Sequence, residues 1–255
     1  IPDSTAISIE DIEIVAQGKC GENAEWTIDN NGTLVISGTG RTKYDYSNML
    51  FSSYSDKIVN AVVGEGITSI DICFFMNCKN LKSVTLPESL ESILGGAFDN
   101  CENLSEINIP ENTTYIAGNV FKDTLWLENK RAENPLVIVN NMVIDGKNCK
   151  GNVVIPDGVT TILGGAFENA TDISSVKIPE TVTYILEYAF INCTSLKSVK
   201  LPNGITKIKV LCFAGCSSLE SVEIPASVEI IENDVFFGCT ALKEITIPKN
   251  VEYID

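Results

Sequence analysis

Thiols are the side chains whose type and spacing most readily suggest chemistry in this sequence. There are nine cysteines, and five recur in one column at multiples of 23 residues: Cys78, Cys101, Cys193, Cys216 and Cys239. The last three could form a three-thiolate metal site, because soft metals prefer sulfur ligands. The same column also contains Thr124 and Ala170, so it selects small side chains. We therefore interpret these cysteines as free thiols buried like small apolar residues.

Carboxylates form a second column, immediately after a recurring proline, at Glu88, Glu111, Asp157 and Glu180. A carboxylate pair could serve as the acid and nucleophile of a glycosidase, but a solvated edge is the simpler interpretation. The sequence has no histidine, which excludes Ser-His-Asp and Cys-His centres and imidazole metal sites. Neither a phosphate-binding loop nor the calcium-loop spacing occurs. We expect no catalytic residue, no cofactor and no resident metal.

Both columns follow from an internal repeat of 23 residues. Prolines 202, 225 and 248 keep this spacing, as do phenylalanines 190, 213 and 236. A period of 20–29 residues that carries L-x-x-V-x-I indicates a leucine-rich repeat solenoid. The predicted fold is an α/β repeat: a right-handed solenoid of 23-residue coils with parallel strands and short helical turns.

Each coil is predicted to contain two extended pieces and one turn. In residues 196–202, Val199 and Leu201 should point inward. In residues 182–185, Val182 and Ile185 should be buried. Residues 187–193 are predicted to form one helical turn, which ends at a left-handed residue, Asn192. The phenylalanine column should stack through the interior.

Two domains are predicted. Residues 1–57 do not repeat and should form an N-terminal cap, with a β-hairpin of Trp26–Asp29 and Thr33–Ser37. A partly helical lead-in is expected over residues 41–57. Residues 58–255 should form the solenoid. Since the chain lacks an initial Met and stops partway through a coil, we expect a longer parent protein from which a leader has been removed.

A variant coil interrupts the repeat at about residues 122–155. Residues 136–145 read as a second hairpin, because Asn140-Asn141 can occupy the two positive-φ positions of a tight turn. The distance from Pro110 to Pro156 is still two periods. We expect this hairpin to replace one coil and to preserve the register of its neighbours.

The net charge of the chain limits the classes of molecule that it is expected to bind. The formal net charge is −16 and the isoelectric point is about 4.4. Nucleic acids and anionic membranes require a basic surface, so neither is expected. No apolar run approaches the ~18 residues that span a bilayer, and we expect no membrane-spanning segment.

The template in LKSVTLPESLESILGGAFDNC and its copies resembles the BspA-like branch of bacterial leucine-rich repeat proteins. The resemblance covers nearly the whole chain, including GKCGENAEWTIDNNGTLVISGTG before the repeats and NPLVIVNNMVIDGK in the variant coil. It implies an extracellular or cell-surface location and a binding role, including adhesion. Because the motif is structural, it identifies no functional residue.

Candidate binding residues lie on two outward surfaces. The second extended piece presents Tyr115, Tyr184, Ile230 and Tyr253, and tyrosine is enriched in binding patches. The first piece presents Lys177, Lys200 and Glu223. The predicted function is non-enzymatic recognition of a protein or glycoprotein ligand, by a chain whose oligomeric state stays open. The alternatives are a structural spacer of a larger surface protein and a carbohydrate-binding protein.

Overall fold

An antiparallel meander opens the part of the chain that the computed structural model describes, residues 12–43 and 53–255. β1 (Ile14–Lys19) pairs with β2 (Asn23–Asp29), and β2 pairs with β3 (Thr33–Arg41). The side chain of Asp29 accepts hydrogen bonds from the amides of Asn31 and Thr33 and fixes the tight turn between β2 and β3. The hairpin predicted here is present, whereas the domain division at residue 57 remains a prediction.

β3 connects the meander to the solenoid by starting two parallel strand ladders. Its first half pairs with β4 (Asn60–Val63) and its end pairs with β5 (Ile67–Ile70). The apolar side chains of the hairpin, Trp26, Ile28, Leu34 and Ile36, are buried and belong to the same core as the first coils. The meander therefore covers the apolar, hydrogen-bonding edge that a terminal coil would otherwise expose.

Each regular coil then adds one short strand to each ladder. The first ladder, which is interrupted between β8 and β12, contains β4, β6 (Ser83–Thr85), β8 (Glu106–Ile107), β12 (Gly151–Val154), β14 (Ile173–Lys177), β16 (Ser198–Lys200) and β18 (Ser221–Glu223). The second ladder, which is interrupted between β9 and β11 and between β15 and β17, contains β5, β7 (Ser92–Ile93), β9 (Tyr115–Ile116), β11 (Met142–Asp145), β13 (Thr161–Ile162), β15 (Tyr184–Ile185), β17 (Lys207–Ile208), β19 (Ile230–Ile231) and β20 (Tyr253–Ile254). Paired residues are 23 apart in the regular coils, as in Ser175 with Ser198 and Tyr184 with Thr161. The parallel-strand solenoid is confirmed, and so is the inward direction of Val199 and Leu201.

The turn segment of each coil differs from the predicted helical turn. In residues 187–193, the amides of Tyr188, Phe190 and Asn192 donate to carbonyls of the next coil, at 3.1, 2.9 and 2.7 Å. Alternate amides close tight turns within the segment. The helical-turn prediction was wrong because a helix would direct its amides along its own axis, whereas here half of them bind the adjacent coil.

Two residues per coil adopt the left-handed conformation that this turn requires. The predicted position, Asn192, has φ 59°, and its equivalents in the other coils also have positive φ. A second position, four residues earlier, was not predicted. It contains Cys73, Gly96, Asn119, Gly165, Tyr188, Leu211 and Asp234. Leucine and tyrosine rarely adopt this conformation, so the composition of that column concealed it.

Phenylalanine side chains stack through the interior on either side of the variant coil. Phe75, Phe98 and Phe121 lie 5.3 and 5.7 Å apart between ring centroids. A second stack, from Phe167 to Phe236, has spacings of 4.9, 5.3 and 5.9 Å. The predicted aromatic spine is thus confirmed within each stack, and Trp126 packs on Phe121 at the end of the first.

The variant coil contains a helix as well as the predicted hairpin. Helix α1 (Leu125–Glu133) occupies the position where the first ladder would have its next strand. The side chain of Thr124 accepts from the amide of Leu127 and caps the helix. β10 (Val137–Val139) then pairs antiparallel with β11 across Asn140-Asn141, both at positive φ. The hairpin is confirmed, and the helix was missed.

Within residues 12–43 and 53–255, α1 and the other helical segment, Ser55–Lys57, are both too short to cross a bilayer. The rest of the predicted helical lead-in falls largely on residues 44–52, outside the described residues.

Candidate functional site

An open groove on the second ladder brings together two of the predicted binding residues. Tyr115 and Tyr184 flank this space of about 420 Å³, hereafter the Tyr115–Tyr184 groove. The tyrosine side chains are 49% and 65% exposed. The remaining lining is threonine and apolar, and none of the described residues that line the groove is charged: Thr114, Ile116, Met142, Thr160, Thr161, Leu163, Thr183 and Leu186.

The groove forms because the variant coil interrupts the second ladder. β9 is the terminal strand of its sheet, and β11 pairs instead with β13. Met142, at the start of β11, is buried to 3% exposure and forms part of the groove lining. Just beyond the groove the two flanking coils meet directly. A Cβ on Gly118 would lie 2.4 Å from the carbonyl oxygen of Gly164, so only glycine permits this contact.

Side chains of the variant coil hold the groove in place. Asn140, in the hairpin turn, donates from Nδ2 to the carbonyl of Pro110 at 2.6 Å. The side chain of Arg131 in α1 forms two hydrogen bonds with Asp145 at the end of β11. Arg131 and Asp145 are 13% and 8% exposed at their side chains. The helix, hairpin and preceding coil are therefore linked by polar contacts that require specific partners.

Carboxylates precede the groove residues in three regular coils. Glu111, Asp157 and Glu180 are exposed, and each lies four residues before a groove residue of its own coil. Hydrogen bonds from the backbone amide and the side chain of Asn203 lower the pKa of Glu180 below its ordinary value. This carboxylate is thus charged at neutral pH. These side chains do not form an acid–nucleophile pair enclosed in a cleft, and the solvated-edge interpretation fits their exposure.

The other candidate residues of the second ladder lie away from the groove. Ile230 pairs with Lys207 on one side and with Tyr253 on the other. Their three strands form a separate sheet, and Tyr253 is 55% exposed. The structure therefore groups Tyr184 with Tyr115, and Ile230 with Tyr253.

Charged candidates of the first ladder lie on consecutive strands. Lys177 is on β14, Lys200 on β16 and Glu223 on β18. The Nζ atom of Lys200 is 3.8 Å from Oε2 of Glu223, and both side chains are largely exposed. An exposed pair of this kind contributes at most about 1 kcal/mol. This surface is polar and mixed in charge, without a concave apolar region.

The cysteine column is structural. All nine cysteines are free thiols, and Cys73 alone is not fully buried. Cys101, Cys193, Cys216 and Cys239 donate from Sγ to the phenylalanine carbonyl of the preceding coil, at 3.1 to 3.2 Å. Burial raises the pKa of Cys239 to about 11. In the described residues, no cluster of three or more Cys, Asp or Glu is arranged to hold a metal. The three-thiolate alternative therefore has no geometric support.

Sequence reasoning identified the tyrosines and missed the groove between them. Met142, which lines the groove, belongs to the variant coil, and this coil has no counterpart in the repeat template. One signal was available: position 114 and its equivalents 160 and 183 are all threonine, a column that lies along the groove. A second, polar cleft was also missed. It lies between β8 and α1, has a volume of about 530 Å³ and is lined by Ser83, Glu106, Trp126 and Lys130 among others.

Solved structures similar to this chain include several bacterial leucine-rich repeat proteins. A leucine-rich cell surface protein from Faecalibacterium prausnitzii is 19% identical over 95% of each chain, with a TM-score of 0.48. A leucine-rich repeat protein from Eubacterium ventriosum is 19% identical over 94% of each chain, with a TM-score of 0.39. The leucine-rich repeat protein of T. pallidum is 21% identical over 89% of this chain and 92% of its own, with a TM-score of 0.40. Similarities at this level carry no information about a ligand, and no curated protein matches the sequence significantly.

The family comparison is more specific. The model described as the BspA type leucine rich repeat region, in six copies, matches residues 46–170 and 138–255. These ranges include both regular parts of the solenoid and the variant coil between them. The strands of both ladders from β4 onward, the phenylalanine stacks and the left-handed turn positions all lie within these ranges. The chain belongs to the BspA-type leucine-rich repeat family.

Proposed function

We propose that this protein is a non-enzymatic scaffold that recognises a protein or glycoprotein ligand through the Tyr115–Tyr184 groove. The observation that carries the proposal is the groove itself: an uncharged, concave space between two exposed tyrosines, within an otherwise regular solenoid. Its volume lies in the range of specific binding pockets, about 300–1,000 Å³. Tyrosine contributes apolar area and a hydroxyl group at a low cost in side-chain entropy.

The surroundings of the groove favour recognition over catalysis. Its walls are strands of a packed solenoid, and the Arg131–Asp145 contact and the Asn140 contact hold the variant coil against them. A preorganised surface binds with little ordering of its own residues. The groove contains hydroxyl and apolar groups but no carboxylate, thiol or amine, so it offers no nucleophile beyond threonine and tyrosine and no general base.

The proposed location is the cell surface or the extracellular space, and the proposed role is adhesion, as the resemblance to BspA-like proteins implies. A spacer role and carbohydrate binding remain the competing functions. A spacer would need no concave surface. A carbohydrate site would need an exposed aromatic platform together with hydrogen-bonding groups, and the two tyrosines with their threonine neighbours make that a measurable alternative.

A binding panel tests the proposal. Wild-type protein, a Tyr115→Ser/Tyr184→Ser variant and a Tyr253→Ser control would be titrated against extracellular-matrix glycoproteins, mucins and soluble glycans. We expect saturable binding to a protein ligand that weakens at least about tenfold in the double variant, as for an interface hot spot. The control should be unaffected. Binding to free glycans alone would favour the carbohydrate alternative, and no binding by the folded protein would favour a spacer. Loss of binding in Tyr253→Ser alone would transfer the site to the patch of Ile230 and Tyr253.

A further inference from the structure

The groove and the carboxylate row beside it run in the same direction along the solenoid. Glu111, Asp157 and Glu180 lie four residues before Tyr115, Thr161 and Tyr184, respectively. Because each pair belongs to one coil, stacking the coils places the carboxylates in a row parallel to the groove. All three carboxylate residues are exposed. The uncharged apolar groove is thus bordered on this side by three carboxylates, with the hairpin turn Asn140-Asn141 between Glu111 and Asp157. The position equivalent to Tyr184 in the next coil is Lys207, so the negative border ends there.

This combination selects a ligand with two kinds of group. The groove, with Ile116, Met142 and Leu163 in its lining, favours burial of an aromatic or aliphatic side chain. The carboxylate row attracts cations, and the formal net charge of −16 adds a long-range field of the same sign. An acidic ligand would be repelled by the carboxylate row and by the net negative charge of the protein.

We propose that the groove binds an extended, basic polypeptide segment in which an aromatic or aliphatic anchor is flanked by lysine or arginine. The inference rests on the proposed function and specifies its partner. The segment lies along the solenoid axis, with its anchor between Tyr115 and Tyr184 and its cationic side chains over Glu111, Asp157 and Glu180. Asp157 and Glu180 lie in adjacent coils, which are about 4.8 Å apart, whereas the hairpin turn lies between Glu111 and Asp157. An extended chain of about 3.3 Å per residue therefore spans the three carboxylates with a few ligand residues.

A polypeptide fits this surface better than a polyamine or a simple cation. Isolated cations would gain only exposed, solvent-screened ion pairs, which contribute little affinity. An anchor in the groove adds a desolvated contact of the kind that dominates recognition energy. The carboxylates then contribute mainly to orientation and to the rate of association.

A phage library that displays random dodecapeptides is a suitable probe, since it makes no assumption about the ligand. Selection would be carried out on the wild-type protein and, in parallel, on the Tyr115→Ser/Tyr184→Ser variant. We expect the sequences enriched on wild type to contain an excess of lysine and arginine on either side of an aromatic or aliphatic residue. Those sequences should not be enriched on the variant.

The outcomes separate this inference from the proposed function. Enriched sequences that depend on the tyrosines but lack basic residues would overturn the basic-segment inference and leave groove recognition standing. Sequences enriched equally on both proteins would overturn both, because binding would lie elsewhere. The absence of any enriched sequence from a folded sample would count against a peptide ligand altogether.

Charge variants provide a second test with the best-enriched peptide in synthetic form. The Glu111→Gln/Asp157→Asn/Glu180→Gln protein should bind it at least about tenfold more weakly at low salt. The affinity of this variant for the peptide should also change less than that of wild type between 0.05 and 0.5 M NaCl, a range over which the Debye length falls from about 14 to about 4 Å. The Glu102→Gln/Glu220→Gln/Glu244→Gln protein changes three exposed carboxylates elsewhere, has the same net charge and serves as the matched control. Equal losses in the two triple variants would show a general field effect and would overturn the role of the carboxylate row.

Discussion

The guanidinium group of Arg131 forms two parallel hydrogen bonds with the carboxylate of Asp145, from Nε to Oδ1 at 2.8 Å and from Nη2 to Oδ2 at 2.7 Å. Arg131 belongs to helix α1 and Asp145 to β11. The pair therefore joins the two parts of the variant coil, which create the groove. A nearly buried pair of this geometry stabilises the fold through orientation as much as through attraction.

Removing one partner of this pair should destabilise the protein strongly. We expect Asp145→Asn to lower the free energy of unfolding by about 2–3 kcal/mol, because the nearly buried Arg131 loses its two-bond carboxylate partner and keeps only the exposed pair with Glu128. Lys130→Ala, which removes the exposed pair with Glu133, should change it by less than about 1 kcal/mol. Urea unfolding followed by circular dichroism measures both variants. A similar effect of the two substitutions would contradict the assigned role of the Arg131–Asp145 pair.

The phenylalanine stack should account for a large share of the stability of the second half of the solenoid. Phe190 is fully buried between Phe167 and Phe213. Phe190→Ala should therefore cost about 3–5 kcal/mol through lost burial and the cavity left behind. Phe237 is 70% exposed and provides a control of the same residue type, for which Phe237→Ala should be nearly neutral. The measurement is the thermal unfolding midpoint of each variant. Similar midpoints for Phe190→Ala and Phe237→Ala would argue against an aromatic spine.

Thiol reactivity should distinguish Cys73 from the other eight cysteines. It is the one cysteine that is not fully buried. Burial, followed by the charges of Asp99 and Asp71, raises the pKa of its thiol. Since the thiolate is the reactive form, Cys73 should react more slowly near neutral pH than a free model thiol, and its rate should still rise with pH above 9. Burial also raises the pKa of Cys149 to about 11.

Alkylation of the native protein and then of the unfolded protein, with mass spectrometry of the labelled peptides, measures this order. Cys73→Ser should remove the first-labelled site and leave the others unreactive until unfolding. Rapid native labelling of Cys193 or Cys216 would show that the column is more accessible than the structure indicates.

Acid should weaken the contact between Lys209 and Glu232 in adjacent coils. Burial alone would raise the pKa of Glu232, but hydrogen bonds from Lys209 Nζ at 2.8 Å and from the Val210 amide at 3.1 Å outweigh it and lower that pKa. A lowered carboxyl pKa stabilises the fold above the unfolded value of about 4.3, and this stabilisation is lost as pH falls through the folded value.

The Glu232→Gln variant should therefore unfold at lower urea than wild type at pH 7, and the difference should shrink below about pH 4. The exposed Glu229 provides the control, as Glu229→Gln. A difference between Glu232→Gln and wild type that is independent of pH would show that the carboxylate charge is not involved.

The repeat made most of the fold predictable from particular columns. The phenylalanines had to be interior because an apolar ring every 23 residues cannot face water in a solenoid, and Asn192 with its equivalents carries residues suited to positive φ. The conformation of the turn at residues 187–193 could not be predicted, because the amides of Tyr188 and Phe190 donate hydrogen bonds to the neighbouring coil. Local sequence does not encode such contacts directly.

The candidate site was predictable only in part, for a related reason. Tyr115 and Tyr184 were identifiable because their column faces outward, whereas the depth of the groove between them depends on where the variant coil places Met142. Helix α1 did leave a local signal, with Thr124 before it and Lys130 and Arg131 in its last turn. That signal was masked by the expectation of another strand at the same position in the repeat.

Hydrogen exchange with and without the strongest protein ligand of the panel would show whether the Tyr115–Tyr184 groove is the recognition surface. We expect ligand-dependent protection in the segments that line the groove, residues 114–116, 142, 160–163 and 183–186. No such protection is expected in the Tyr115→Ser/Tyr184→Ser variant at the same ligand concentration. Protection confined to the first ladder, at Lys200 and Glu223, would show that the groove is not the recognition surface.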